Sequence, residues 1–140
     1  MAKLGTRALT ITVGGDDVTA EVSNCRITAG ASDSDFTTFA DAAAGGSRVY
    51  KLEGTAAQDP ETGSLWDQVW AHAGETLAVI VKPAGGATAA SATQPHFTGN
   101  VIVTEPDGDL LGGEANASAT AKFTFDFSWE FTAKPTRVIS

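Results

Sequence analysis

Three side chains in this sequence have the chemistry of a nucleophile or a general base: Cys25, His72 and His96. An enzyme needs such groups converging with an orienting partner. None of the three lies in a recognisable frame, because the chain has no G-x-S-x-G elbow, no Gly-rich phosphate loop and no H-E-x-x-H pair. His72 closes a helical pattern, where the helix dipole favours a histidine. His96 follows Pro95 at the start of a strand pattern, and Cys25 lies in a strand pattern, where a thiol packs as a small apolar residue. Asp33-Ser34-Asp35 opens like a calcium loop but lacks the glycine and the glutamate such a loop needs further on. The Asp16-Asp17 and Asp107-Gly108-Asp109 pairs are turn residues. Asn116-Ala117-Ser118 matches a glycosylation sequon with no sign of secretion beside it. The reading is a protein that is not an enzyme, with no metal and no cofactor.

The elements that would position these groups are mostly strands. Residues 118–131 alternate almost without exception: Ala119, Ala121, Phe123, Phe125, Phe127, Trp129 and Phe131 fall on one parity, and polar residues on the other. Period two predicts one long, two-faced strand with an aromatic inner face. At fourteen residues it would be about twice the usual length, which suits a barrel shared between subunits. Further strands are predicted over residues 8–13 and 18–28, paired as a hairpin through Gly14-Gly15, and over 48–57, 75–82 and 96–105. Ser64-x-x-Asp67 is a capping signal for a short helix over 64–73, whose apolar face carries Leu65, Trp66, Val69 and Trp70. Trp66 and Trp70 are expected to clamp this helix on the sheet, in a core with Phe125 and Trp129. The fold class expected is mainly β, a sandwich or barrel of about six to seven strands with one amphipathic helix, in a single domain over 1–140. Residues 133–140 read as a tail that Pro135 keeps out of a central sheet.

Residues 29–47 differ in texture: small, acidic and rich in glycine, around Phe36 and Phe39. A loop this long is functional or disordered in most compact domains, and its two phenylalanines imply docking on a partner. It is expected to order only when they find one.

The composition narrows the partners. The net charge is −8, with seventeen carboxylates against nine scattered Lys and Arg, the opposite of a nucleic-acid-binding surface. No apolar run reaches the length of a membrane span, and no signal peptide is evident. A single cysteine suits a reducing compartment.

Several stretches resemble the major tail protein, or tail tube protein, of long-tailed actinobacterial phages. They are residues 52–73, 95–99, 101–113 and 118–135, and they carry the motifs G-T-x-x-Q-D from Gly54, W-x-x-x-W from Trp66 and T-F-D-F-S-W from Thr124. The resemblance implies hexameric rings that stack into a tube, each subunit lending strands to a barrel around a channel for genome DNA. It implies a place in the virion tail after assembly in the host cytoplasm, with tape measure, tail terminator and baseplate proteins as partners. A long loop between early strands would reach the next ring, which makes Phe36 and Phe39 the expected inter-ring contact. DNA would pass without specific binding, and Asp126 and Glu130 are the expected lumen-facing residues, since a cationic lining would hold DNA. The alternatives are a tail terminator or head–tail joining protein and, from a different class, a carbohydrate-binding β-sandwich using its tryptophans.

Overall fold

Gly14 and Gly15 take positive φ, 59° and 89°, as a two-residue hairpin turn requires. They fold β1 (Thr10–Val13) back on β2 (Asp16–Asp17) with Val13 opposite Asp16. The return is only two residues long. A single 3-10 turn (Thr19–Glu21) then carries the chain away, so β3 (Val22–Ala31) does not pair with β1 as the sequence suggests. The computed structural model describes residues 5, 7–31, 36, 38–44, 48–85 and 89–139. The remaining elements are α1 (Phe39–Ala43), β4 (Arg48–Ala57), α2 (Leu65–His72), β5 (Thr76–Lys82), β6 (His96–Ile102), β7 (Thr124–Phe131) and β8 (Thr136–Val138). The protein is mainly β. Among the described residues eight strands form one sheet in the order β2-β1-β5-β6-β7-β4-β3, all pairs antiparallel, with β8 added on β6. Residues from β1, next to one end of that order, and from β3, at the other end, line one groove, so the sheet curls back towards itself.

Alternation sets the inner face. Phe125, Phe127, Trp129 and Phe131 of β7 are buried, and their neighbours along the strand are exposed. They pack with Leu52 and Ala56 of β4, Ile11 and Val13 of β1, Val79 and Val81 of β5, and Leu65 and Val69 of α2 in one cluster. Each such side chain contributes about 1.5–3 kcal/mol on burial. The rings of Phe127 and Trp129 lie 5.0 Å apart and tilted, and the Trp129 indole N–H donates to the Thr104 carbonyl at 3.1 Å, so its polar end is satisfied. Gly54 sits where β3, β4 and β7 press closest. A Cβ there would fall 1.9 Å from the Asn24 carbonyl oxygen and 2.9 Å from the Phe127 ring.

The alternating run of residues 118–131 is a strand only over its last eight residues. Its partner β4 ends at Ala57, and Gln58 closes the ladder. Its N–H donates to Phe123 O at 2.9 Å and its Nε2 to Thr124 O at 2.9 Å and Gly112 O at 3.0 Å, while its Oε1 accepts from Gly112 N at 2.6 Å. Upstream of that clamp Ala119 and Ala121 are exposed, and Phe123 is half exposed.

The C-terminal tail also departs from expectation. β7 pairs with β6 at Val101 and Ile102, and the first half of β6 takes a different partner. The chain bulges over residues 132–135, with Pro135 inside the bulge, and then returns as β8, pairing Thr136–Val138 with His96–Thr98.

Candidate interaction surfaces

The outer face of β3, β4 and β7 is built from three cross-strand rows. Asn24, Thr55 and Asp126 form one, Arg26, Glu53 and Ser128 the next, and Thr28, Lys51 and Glu130 the third. Thr55 Oγ1 donates to Asp126 Oδ1 at 2.8 Å, and Ser128 Oγ to Glu53 Oε1 at 3.1 Å. The face therefore carries three carboxylates against two cations, with short polar links between strands. Asp126 and Glu130 lie on it, exposed and pointing away from the core. Glu21, whose sequence context reads as strand, lies in the 3-10 turn, where burial and then the neighbouring Asp59 push its carboxyl above the ordinary range.

The two ends of the sheet differ. β3 is ten residues long and terminates the strand order, with β4 on one side. Its first residues bulge between Val22 and Asn24, where Ser23 Oγ donates to Thr55 O at 3.3 Å, and the register is regular from Asn24 to Ala31. At the other end Thr19 Oγ1 accepts from Ile11 N at 3.0 Å and Val18 N–H donates to Ile11 O at 3.1 Å, so side chain and turn finish β1 where β2 stops.

Helix α2 starts as its sequence demands. Ser64 Oγ accepts from Asp67 N at 3.1 Å, and the Asp67 carboxylate accepts from Gly63 N at 3.2 Å. Ser64 Oγ also donates to Asp59 O. The buried face, however, is Leu65, Gln68 and Val69, not the tryptophan pair. Trp66 is partly buried and donates from Nε1 to Leu110 O at 2.7 Å. Trp70 is 59% exposed and stacks on Trp66 at 5.3 Å and 17°. The expectation that Trp70 is a core residue is corrected. Gln68, two residues earlier, takes a buried place instead, because its amide reaches Val13 O at 3.3 Å and Asp16 Oδ2 at 2.8 Å across the β1–β2 hairpin. Phe125 and Trp129 are in the core.

Phe36 is 79% and Phe39 97% exposed. Phe39 is the first residue of α1, fixed by a reciprocal cap in which Asp41 N donates to Thr38 Oγ1 at 3.1 Å and Thr38 N to Asp41 Oδ2 at 3.4 Å. The rest of the predicted loop over 29–47 divides. Residues 29–31 belong to β3, while 32–35, 37 and 45–47, with the calcium-like Asp33-Ser34-Asp35, lie outside the described residues. A concave apolar groove of about 420 Å³, lined by Leu9, Cys25, Ile27, Tyr50, Phe97 and Pro135 among others, opens between β3–β4 and the β5–β6 side of the curl. Nothing in the sequence marks this groove, because its walls are distant in the chain and individually ordinary.

The three reactive side chains do not come together. His72 ends α2 and its Nδ1 meets Glu75 Oε2 at 2.9 Å, beside the start of β5. His96 begins β6 at the other end of the β5–β6 ladder, where Val81 pairs with Phe97. At about 3.4 Å per residue the two histidine ends of that ladder are roughly 17 Å apart. Cys25 lies on β3, half buried, and burial pushes its thiol up to about 11. Among the described residues no group of three His, Cys, Asp or Glu is placed to hold a metal, and no helix is long and apolar enough to cross a membrane. Compared with protein-family models, with curated proteins and with solved structures, the chain matches none of them.

Proposed function

We propose that this chain is a structural virion protein, a phage tail tube subunit that assembles into stacked hexameric rings and forms the conduit for genome DNA. The observation that carries the reading is the β3 edge. A ten-residue strand with one side unpaired among the described residues is a template for another chain. Joining neighbours around a ring removes that liability without any change of fold. β3 and β4, at ten residues each, supply the strand length that a shared barrel needs. The polar rows on β3, β4 and β7 suit a lumen. Their mixed, slightly negative character gives the phosphate backbone nothing to grip, whereas a few lysines per subunit repeated around every ring would bind DNA firmly. Tape measure, tail terminator and baseplate proteins would be the partners, in the virion tail.

Negative-stain microscopy of the purified protein tests this: six-fold rings or tubes are expected, and a protein that stays monomeric at every concentration refutes it. Single capping rings would favour the tail terminator or head–tail joining alternative. Asp126→Lys with Glu130→Lys tests the lumen separately, with normal tubes and poor DNA ejection as the expected pair of results. Unimpaired ejection would take both residues out of the mechanism.

One observation favours a second reading. The exposed Trp70 ring stacked on Trp66 has the shape of a saccharide platform. Tryptophan fluorescence that responds saturably to added saccharides, in a protein that never assembles, would favour a carbohydrate-binding module instead.

A further inference from the structure

We propose that the apolar groove between β3–β4 and the β5–β6 side of the curl is a socket for Phe39 of a second copy of this chain. The inference rests on the self-assembly reading and adds the acceptor site to it. The groove holds about 420 Å³, while a cavity of about 150 Å³ is enough for a benzene ring. Leu9, Cys25, Ile27, Tyr50 and Phe97 offer an aromatic side chain apolar contacts, with one thiol and one phenol among them.

Charge selects the occupant. The chain has seventeen carboxylates and nine Lys or Arg. Even so, among the described residues the groove is lined by Lys134 and by no carboxylate, and the adjoining groove adds Arg7, again with none. The segment that bears the knob has the opposite sign: residues 32–47 contain Asp33, Asp35 and Asp41 and no Lys or Arg. The cap between Thr38 and Asp41 fixes Phe39 at the start of α1, 97% exposed and outside its own chain's groove. Knob and socket are different patches of one surface, so the contact is head-to-tail and propagates from copy to copy instead of closing a two-fold dimer.

The test uses the full chain with p-benzoylphenylalanine in place of Phe39. This keeps an aromatic knob and cross-links to neighbouring C–H bonds under light. Adducts between chains that map to the walls around Leu9, Ile27 and Phe97 are expected. Phe39→Ser should keep the melting temperature and weaken self-association at least tenfold. In wild-type assemblies Cys25 should be shielded from N-ethylmaleimide, and in Phe39→Ser it should stay open. Adducts within one chain overturn the proposal, as do assemblies whose adducts fall on other surfaces or whose Cys25 stays open; any of these results leaves the ring reading standing. A wild-type protein that never associates overturns both.

Discussion

At one end of the sheet β1 meets only two residues of β2, and the Thr19 hydroxyl with the Val18 N–H finishes the hydrogen bonding at Ile11. At the other end β3 runs ten residues and, among the described residues, has β4 on one side and no strand on the other. Both edges belong to one sheet over one core, so the difference is not forced by packing. A strand edge left without a short length, a covering loop or a side-chain stand-in is a surface that another chain can extend. The contrast teaches that the fold protects itself at β1 and presents itself at β3, and on that contrast the assembly reading stands.

The largest expected effect comes from breaking the presented edge. Gly54→Val places a side chain where Asn24 O and the Phe127 ring already sit, so β3 cannot keep its register on β4. A loss of about 4 kcal/mol or outright failure to fold is expected in chemical denaturation. A near-native midpoint would mean that β3 is only loosely held. Trp129→Ala strikes the shared core beneath both edges and should cost about 3–5 kcal/mol; it calibrates what loss of fold, as opposed to loss of an edge, does to assembly.

Cys25 lets β3 be followed by pH. Burial raises its thiol from 9.0 to about 11. In the unfolded chain the thiol ionises first, so stability is fully present below pH 9 and falls as pH rises towards 11, by about 3 kcal/mol in all. Cys25→Ala should remove that slope, and an identical slope in both proteins would place the thiol in water. At the protected edge, Thr19→Ala should cost about 1 kcal/mol through the lost partner of Ile11 N. It should also give β1 a tendency to associate that the parent lacks, visible as a higher sedimenting mass. The smallest effect is expected at Trp70→Ala, below about 1 kcal/mol in the monomer, because the ring is mostly in water.

Much of this fold was legible wherever a periodic run also had a partner. Residues 48–57 and the helix start at Ser64 read directly, because alternation and a capping side chain are local signals. The run over 118–131 shows the limit. Ala119 and Ala121 keep the same parity as Phe125 and Trp129, yet they form no strand, since β4 has ended and Gln58 occupies the next position. Alternation says which side chains would share a face, and only a neighbouring strand says whether a face exists. Trp70 failed for a related reason: the helical period allowed several faces, and the hydrogen bonds of Gln68 to the β1–β2 hairpin chose among them. The hairpin expected between the first two strands was lost to Thr19–Glu21, whose turn has no strong sequence signal. Of the candidate surfaces, exposed Phe39 and the outward Asp126 and Glu130 follow from pattern alone. The groove beside Cys25 and the open β3 edge depend on long-range pairing, which no local pattern encodes.

The most direct test is hydrogen exchange of the backbone amides in the dilute monomer and in the assembled protein. The account predicts that amides on the free side of β3, within Asn24–Ala31, become strongly protected on assembly, while those of β1 stay as they were. Assemblies in which β3 exchanges as it does in the monomer would contradict it.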